Sequence, residues 1–435
     1  MPRPSPRSTG CPSTANTAQY SPLTLVAAIA LLWLPALLQA QAATEQFADQ
    51  YGLIYQIRDV ASSASSKSSI GSGFQVSANG LIVTNFHVVS GFVNAPESRR
   101  IEYLDQDGNS GTLELLDFDV VNDLAVLRHP APRAEHFALA SEPLIKGSLI
   151  YALGNPRDLG ITLVFGANNG MVEHSYDPQI LFSGSLNPGM SGGPGLNANG
   201  EVVGVNVATA GSQLSFLVPL EALQSLLDSG RTLDADDFDS EITAQIKAWQ
   251  SKRFASLLAL EWPLKRLGEH QVLGELRDDF QCWGDSNEAD KDANLRNQRT
   301  SCTSGNSLFL GSRLNTGQIH YSFDNQIALD LSDYRFHAAI GSHRVSADNA
   351  AGKDDVTPYQ CDNRFLDGPA DTQRYTKVSY CVRGYKHLSG LYDVLFLGEH
   401  SAADRSLTAH YTLAGVEQDQ ADQFAERFLR ELGWN

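Results

Sequence analysis

The sequence predicts a mainly β chain, in which a barrel-forming N-terminal half is followed by a separate α+β domain with an antiparallel sheet. The chain has 435 residues, more than one hydrophobic core usually serves, so two domains are expected. Short strand-like runs recur between turns up to about residue 218, and this frequency of short strands favours a barrel. An alternating pattern returns from about residue 307, and the chain closes with an amphipathic helical pattern.

The first 42 residues have the features of a secretory signal peptide. Arg3 and Arg7 precede an almost wholly apolar run, residues 23–38, and Ala40-Gln-Ala42 has the small residues of a cleavage site. The run is short for a spanning helix, and polar residues follow it directly. We therefore expect an exported protein, periplasmic or extracellular, with an uncleaved N-terminal anchor as the alternative.

The charge balance argues against two classes of partner. Lys and Arg number 32 against 50 Asp and Glu, which gives a net charge of -18. Cleavage after residue 42 removes Arg3 and Arg7 and no acidic residue, so the net charge becomes -18 - 2 = -20. We expect neither nucleic acid nor, after signal cleavage, a membrane surface as a partner.

The predicted strands of the N-terminal half fall into two sets, which a proline-bearing stretch at residues 129–133 separates. The first set covers residues 73–76, 81–83, 101–104, 112–116 and 124–128, and the second covers residues 149–153, 162–170, 181–183, 202–208 and 215–218. A helix over residues 219–227, with proline in its first turn and leucines on one face, would close this half.

An acidic segment, residues 231–243, reads either as a solvated linker or as the capped start of another helix. We place a C-terminal α+β domain over residues 244–435, with no chemical motif that indicates its function. Its predicted strands cover residues 307–310, 319–323, 334–340, 376–383, 392–397 and 406–413, and its last helix covers residues 421–432.

Four of the five cysteines lie in this C-terminal domain, and Cys11 lies in the signal segment. An even set in an exported protein indicates disulfides. Three connectivities are open for Cys282, Cys302, Cys361 and Cys381, of which the sequential one closes the two shortest loops; four buried thiols are the alternative. Since no Cys-x-x-Cys spacing occurs, zinc is disfavoured, and we expect neither a metal nor a cofactor.

The segment Asn187-Pro-Gly-Met-Ser-Gly-Gly-Pro194 carries the strongest chemical signal. Glycines on both sides of Ser191 let backbone N–H groups converge on one point and keep side chains away from an incoming acyl group. We therefore predict Ser191 as a nucleophile, with the N–H groups of Gly189 and Ser191 as an oxyanion hole. A serine hydroxyl also needs a base to take its proton.

A histidine and a carboxylate in suitable contexts precede this serine. His87 ends the apolar run that begins at Gly80, and Asp123 opens the strand-like run Asp123-Leu-Ala-Val-Leu127. The order His, Asp, Ser is one of three convergent arrangements of the serine triad. Asp117 and Asp119 are rivals for the carboxylate, but Asp123 directly precedes its strand.

Six blocks resemble the HtrA/Deg branch of trypsin-like serine proteases. They are Gly71-Ser-Gly-Phe-Gln-Val, Gly80-Leu-Ile-Val-Thr-Asn-Phe-His-Val-Val, Asn122-Asp-Leu-Ala-Val-Leu, Gly154-Asn-Pro, Asn187-Pro-Gly-Met-Ser-Gly-Gly-Pro and Gly200-Glu-Val-Val-Gly-Val-Asn. The resemblance implies a chymotrypsin-like protease domain of two β-barrels over residues 43–230, with the triad between them. It also implies a homo-oligomer, since trimers are common in the family. The residues after 240 lack the length and the carboxylate-binding loop of the PDZ domains that the family usually carries there.

The resemblance also places the pocket for the substrate residue before the cut, for which we predict Ser185, Asn206 and Leu214. Because residues 182–190 contain no acid, we expect small or medium apolar residues there rather than basic ones. The strand near residues 212–216 is expected to pair with an extended peptide, so polypeptides are the predicted substrates.

Two alternatives to a serine endopeptidase stay open. Met190 stands where the family commonly has asparagine or aspartate, which motivates a chaperone-like, polypeptide-binding protein with a latent triad. In the other alternative, the C-terminal domain is the functional recognition part and the protease domain merely releases it.

Overall fold

A computed structural model describes residues 47–63, 67–156, 159–209, 214–340, 351–366 and 375–434. The predicted signal peptide, residues 1–42, lies outside the described residues. Residues 50–435 form one compact unit, and residues 1–49 form another, of which only residues 47–49 are described. Within the described ranges, no helix combines the length and the apolar character needed to cross a membrane.

The first barrel is closed by six antiparallel strands in the order β1-β2-β3-β6-β5-β4. Their bounds are β1 (Ile54–Ala61), β2 (Lys67–Gln75), β3 (Leu81–Thr84), β4 (Arg99–Leu104), β5 (Ser110–Asp119) and β6 (Leu124–Arg128). The interior is apolar, with Ile57, Ile82 and Leu127 fully buried. The short strands separated by turns therefore fold as the sequence predicted.

The second barrel is closed by six further strands in the order β10-β11-β12-β9-β8-β7. Their bounds are β7 (Leu149–Gly154), β8 (Thr162–Met171), β9 (Ile180–Phe182), β10 (Pro194–Leu196), β11 (Val202–Thr209) and β12 (Ser215–Pro219). Two closed barrels confirm the predicted chymotrypsin-like architecture. Because β12 pairs with β9 at Ser215–Leu217 and with β11 on its other edge, it offers no free edge there to a peptide, and the expected pairing is wrong for residues 215 and 216.

Two helices belong to this half of the chain. Helix α1 (Phe86–Asn94) follows β3, and α2 (Leu220–Ser229) follows β12 and ends at Gly230 in the left-handed conformation. The sequence predicted α2 but not α1, because Phe86-His-Val-Val89 continues the β-branched pattern of β3. In the structure Phe86, Val89 and Val93 lie three and four residues apart and are buried on one helical face.

The C-terminal half contains a seven-stranded antiparallel sheet in the order β15-β16-β19-β23-β22-β21-β20, together with two small hairpins, β13-β14 and β17-β18. The bounds are α3 (Phe238–Ala259), β13 (Leu264–Leu267), β14 (His270–Leu273), β15 (Phe280–Ser286), β16 (Leu295–Ser304), β17 (Leu308–Gly311), β18 (Leu314–Thr316), β19 (Ile319–Ala328), α4 (Asp333–Ile340), β20 (Gln360–Leu366), β21 (Tyr375–Gly384), β22 (Tyr392–Ser401), β23 (Arg405–Val416) and α5 (Gln418–Leu432). The predicted α+β class with an antiparallel sheet is confirmed.

One predicted strand of this domain is wrong. Residues 334–340 form helix α4, because Phe336 and Ile340 lie four residues apart on one buried face while Tyr334 is 83% exposed. Strands β13 to β16, β18 and β20 were not predicted from the sequence. Several of these carry many exposed polar residues, so they lack a clear apolar alternation.

Two disulfides fasten the edges of the large sheet. Cys282 pairs with Cys302, and Cys361 pairs with Cys381. Each bond joins directly opposite residues, on β15 and β16 at one edge and on β20 and β21 at the other. The structure thus has the sequential connectivity, one of the three that the sequence left open.

The two halves share one hydrophobic core. Phe238, the first residue of α3, is 3% exposed, and its ring centroid lies 6.2 Å from that of Phe92 on α1 and 5.7 Å from that of Phe118 on β5. The side chain of Gln245 accepts from Val120 N–H and donates to the Phe118 carbonyl, both at 2.8 Å. Helix α3 therefore crosses the predicted boundary at residues 243 and 244 and packs on the first barrel, while the division into domains stays a prediction.

Candidate active site

The loop that carries Ser191 is shaped by a tight turn. Met190 N–H donates to the Asn187 carbonyl at 3.0 Å, and Gly189 has a φ of 99°. Proline followed by glycine at the two central positions is the pattern of a type II turn, in which the second position requires a positive φ. The turn thus leaves the N–H groups of Gly189 and Ser191 without a hydrogen-bond acceptor within the described part of the chain.

Met190 anchors this loop in the second barrel. Its side chain is fully buried and packs in the cluster that contains Ile150, Phe182 and Leu217. The Met190 carbonyl accepts from Gly193 N–H at 3.1 Å. The apolar side chain of Met190 thus packs in the barrel core, and only its backbone groups form hydrogen bonds within the serine loop.

Ser72 on β2 ties the serine loop to the first barrel. Its hydroxyl donates to the Gly189 carbonyl at 2.7 Å and accepts from Asn155 N–H at 2.8 Å, while its own N–H donates to the Ser191 carbonyl at 2.7 Å. These bonds fix the Gly189–Met190 and Ser191–Gly192 peptide groups. Ser72 and Asn155 lie in sequence blocks that resemble the HtrA/Deg branch, but the sequence indicated no role for either residue.

His87 and Asp123 are joined by two hydrogen bonds. The Asp123 carboxylate accepts from His87 Nδ1 at 2.6 Å through Oδ2 and from His87 N–H at 2.8 Å through Oδ1. Asn85 Nδ2 also donates to the Asp123 carbonyl at 2.8 Å. Asp123 has a φ of 54°, a left-handed conformation that aspartate tolerates better than most residues. The turn before β6 therefore directs this carboxylate at the start of α1.

The rival carboxylates have other partners. Asp117 is buried and accepts from Arg231 and from the Ser229 hydroxyl. Asp119 accepts from the backbone N–H groups of Val121 and Asn122, which shapes the turn that ends in Asp123. Of the three candidates, only Asp123 is hydrogen-bonded to His87 within the described part of the chain.

The environment of His87 alters its basicity. Burial by itself lowers the pKa of the imidazole, but the negative charge of Asp123 and the hydrogen bond to it raise the pKa, and the net effect is a pKa above the ordinary 6.5. The imidazolium form is thus stabilised by a fixed carboxylate. A base that must take a proton and then hold it benefits from this arrangement.

Ser191 lies beside the segment that leads into α1. A Cβ placed on Gly192, whose φ is 84°, would collide with the Ser72 carbonyl and would lie 2.9 Å from Asn85 N. A Cβ on Gly71 would collide with Val88 and lie 3.0 Å from the Ser191 carbonyl. Gly192 therefore packs against the residues before α1, and Gly71 packs between Val88 and the Ser191 carbonyl. Both contacts are close enough that they require glycine.

The Ser191 hydroxyl itself has another partner in this structure. Its Oγ donates to the Val207 carbonyl on β11 at 3.0 Å. No hydrogen bond joins Ser191 to His87 among the residues described. The structure thus joins two of the three predicted triad residues, His87 and Asp123, while the Ser191 hydroxyl is turned toward the second barrel.

The three residues predicted to bind substrate lie in different environments. Ser185 and Leu214 are exposed, on either side of the serine loop in sequence. Asn206 is fully buried, and its Nδ2 donates to the Leu153 carbonyl at 2.9 Å, with the Met190 carbonyl 3.5 Å away. In this structure the Asn206 side chain bonds mainly to strand β7, and the Asn206 backbone pairs with Gly192 and Gly193 of the serine loop.

One residue beside the triad comes from the C-terminal half. Phe309 on β17 is 37% exposed, and its ring centroid lies 6.2 Å from that of His87, nearly edge to face. The sequence analysis assigned residues 307–310 to a strand but could not place that strand beside His87. Within the described ranges, no group of three or more His, Cys, Asp or Glu residues is arranged to hold a metal ion.

Residues 71–205 match the model of the trypsin-like peptidase domain family. The human protein named serine protease HTRA3 is 32% identical over 200 residues, which cover 43% of this chain and 41% of the relative. A Chlamydia trachomatis protein named probable periplasmic serine endoprotease DegP-like is 32% identical over 179 residues, which cover 40% and 35%. The chain thus spans about two fifths of the length of these curated relatives.

Among solved structures, the serine endoprotease from Yersinia pestis is 23% identical and aligns over 43% of this chain and 68% of its own, with a TM-score of 0.38. The family match and the curated relatives agree with the two closed barrels. Residues 71–205, which include His87, Asp123 and Ser191, therefore match a trypsin-like peptidase domain and are similar to serine proteases named HTRA3 and DegP-like.

Proposed function

We propose that this chain is an exported serine endopeptidase that hydrolyses polypeptides through an acyl-enzyme on Ser191. The observation that supports this most directly is the 2.6 Å hydrogen bond between His87 Nδ1 and Asp123. Because Nδ1 donates to Asp123, the other ring nitrogen, Nε2, is left to accept a proton. The serine loop supplies two N–H groups, of Gly189 and Ser191, that have no acceptor among the described residues.

The reaction begins with a rotation of the Ser191 side chain from the Val207 carbonyl toward His87. Nε2 takes the hydroxyl proton while Oγ attacks the scissile carbonyl carbon. The resulting oxyanion accepts from the N–H groups of Gly189 and Ser191, and each such donor contributes about 3 kcal/mol to the transition state in comparable enzymes. His87 then gives its proton to the leaving amine, and water releases the acyl group by the reverse sequence.

Asp123 acts on the histidine, not on the substrate. Its two hydrogen bonds fix the imidazole ring and the tautomer in which Nδ1 carries the proton, and its charge stabilises the imidazolium that forms during attack. Ser72 and Asn206 are positioning residues, because the Ser72 hydroxyl holds the Gly189 carbonyl and the Asn206 backbone pairs with Gly192 and Gly193.

We assign the substrate class and compartment on the following grounds. Residues 182–190 contain no acid, which favours a substrate with a small or medium apolar residue before the cleaved bond. Ser185 and Leu214, the exposed residues assigned to that pocket, are available to contact it. The signal-like features of residues 1–42, together with relatives named as periplasmic, favour export. A homo-oligomer stays a prediction.

Hydrolysis of casein by the purified mature protein tests the proposal. We expect release of peptides by the wild type and loss of that release in Ser191→Ala, with Ser225→Ala, at an exposed serine of α2, as a matched control for folding. Casein cleavage that persists in Ser191→Ala would refute the assignment of the nucleophile.

A second candidate function is polypeptide binding with a latent triad. The bond from Ser191 Oγ to the Val207 carbonyl favours it, because the hydroxyl in that orientation is not activated by His87. This candidate requires equal binding of an unfolded client by the wild type and Ser191→Ala, together with no turnover by the wild type under any tested condition. Turnover by the wild type excludes it.

A further inference from the structure

A short segment of the C-terminal half, residues 306–310, bridges the two barrels at the catalytic cleft. At one end, Asn306 Nδ2 donates to Asp177 Oδ2 in the β8–β9 loop at 2.8 Å, and Asn306 Oδ1 accepts from Tyr176 N–H at 3.2 Å. At the other end, the Leu310 carbonyl accepts from Asn94 Nδ2 on α1 at 2.7 Å. The segment is thus fixed to the second barrel and to the helix that begins beside His87.

Strand alternation directs one side chain of this segment outward. Leu308 and Leu310 are 3% and 1% exposed and belong to the core that the first barrel shares with α3. Phe309, between them, points to the opposite face of β17, as a period of two requires. Its ring is held next to His87 by a backbone that is anchored on both sides.

Phe309 lies between two recesses of the cleft. One, with a volume of about 560 Å³, is lined by His87, Ser90 and Asn94 on the barrel side and by residues 309–314 on the other. The second, of about 170 Å³, is lined by Asp123 and Val207 together with Leu308 and Phe309. A peptide bound in either recess therefore meets an exposed aromatic ring.

We propose that Phe309 is a substrate-contacting residue, through which the C-terminal domain makes the peptidase prefer a substrate with an apolar side chain beside the catalytic imidazole. This inference rests on the proposed function. The position differs from the residue before the cut, since Phe309 packs against His87 and lines two recesses that Ser185 and Leu214 do not line. An aliphatic or aromatic side chain would cover the exposed part of the ring and be removed from water.

The expected size of the effect follows from ordinary pocket discrimination. A partly exposed apolar contact changes kcat/KM by about tenfold between a substrate that fills it and one that does not. The Phe309 ring is 37% exposed and has polar neighbours such as Asn306, whereas Leu308 is 3% exposed. Phe309 therefore contributes less to the stability of the fold than Leu308 does. Its truncation should therefore alter selectivity more than stability.

The test uses the full-length mature protein and a peptide library in which the positions flanking the cut are varied. We expect the wild type to show an apolar preference at one position within two residues of the cut, in addition to that of the residue before it. In Phe309→Ala the ratio of kcat/KM for leucine over glycine at that position should fall about tenfold, and Phe309→Leu should restore most of it. Phe365→Ala, which removes an exposed phenylalanine from edge strand β20, is the matched control.

An unchanged leucine-to-glycine ratio in Phe309→Ala, with an active wild type, would overturn the proposal. An equal loss of activity toward every peptide would overturn it too, because it would show that Phe309 acts by positioning His87. Failure of the proposed function gives a different result, in which the wild type cleaves no peptide at all, and the assignment of Phe309 then falls with it.

Discussion

At the scale of single residues, the site depends on hydrogen bonds that connect distant parts of the chain. Asp123 orients His87, and Ser72 holds the turn at Gly189 from the opposite barrel. Both contacts are short and partly or fully shielded from solvent, so their loss leaves polar groups without partners.

The raised pKa of His87 predicts the acidic limb of the pH profile. Below that pKa the imidazole is protonated and cannot accept the Ser191 proton, so kcat/KM should fall as pH decreases through a value above 6.5. In Asp123→Asn the charge that raises the pKa is gone, so the limb should move to lower pH, while kcat falls by about 10⁴-fold because the tautomer is no longer fixed. The pH dependence of peptide hydrolysis measures both effects, with the exposed Asp107→Asn as the control. A limb that stays in place in Asp123→Asn would show that another group titrates.

The Ser72 hydroxyl predicts a separation of kcat from KM. Ser72→Ala leaves the Gly189 carbonyl and Asn155 N–H unpaired in a buried setting, which should cost about 1–3 kcal/mol of stability. Because the turn that presents the oxyanion donors is loosened, kcat should fall more than KM rises. Steady-state kinetics and denaturant unfolding measure the two effects, and Ser77→Ala in an exposed turn serves as the control. A change confined to KM would contradict the positioning role.

At the scale of elements, helix α1 links catalysis to the C-terminal half. It begins one residue before His87, and Phe92 near its end contacts Phe238 of α3. Asn94, its last residue, bonds to β17. The orientation of His87 therefore depends on packing against residues far along the chain.

Truncation of Phe238 tests this dependence. Phe238→Ala removes a ring that contacts Phe92 and Phe118, and a buried phenylalanine lost in this way costs about 3–5 kcal/mol. Chemical denaturation should show that loss, while Tyr334→Ala, at a position 83% exposed, should lie within about 0.5 kcal/mol of the wild type. A loss of less than about 1 kcal/mol in Phe238→Ala would show that the core is not shared.

The features that could be predicted from the sequence are those that depend on residues close together in the chain. The serine turn and the contexts of His87 and Asp123 are local, so their residues could be identified from short blocks. The partners of Ser72 and the place of Phe309 depend on contacts between residues far apart in the chain. Helix α1 was not predicted, because its valines continue the β-branched pattern of strand β3. Helix α4 was predicted as a strand, although Phe336 and Ile340 have helical spacing.

At the scale of the whole molecule, the peptidase barrels and the C-terminal half form one compact unit. The packing of α3 against Phe118 and the bridge at Asn306 argue against a domain that is merely released by cleavage. The C-terminal half instead supplies part of the wall of the cleft, beside the triad that the barrels carry.

Expression of residues 43–230 alone tests the unity of the molecule. Without α3 and β17, the faces of Phe92 and Phe118 that contact Phe238 lose their cover, so we expect low soluble yield and a lower thermal midpoint than that of the mature full-length protein. Soluble yield and thermal unfolding measure this directly. A truncated protein as stable and active as the full-length one would contradict the shared core.

Covalent labelling by a fluorophosphonate, located by mass spectrometry on the folded mature protein, tests the central claim most directly. The probe reacts with a serine hydroxyl that a base activates beside an oxyanion hole. We predict a single adduct on Ser191 in the wild type and none in His87→Ala, which keeps the hydroxyl but removes the base. A folded wild-type protein that stays unlabelled at Ser191, or a His87→Ala variant that is labelled as fast as the wild type, would contradict the account.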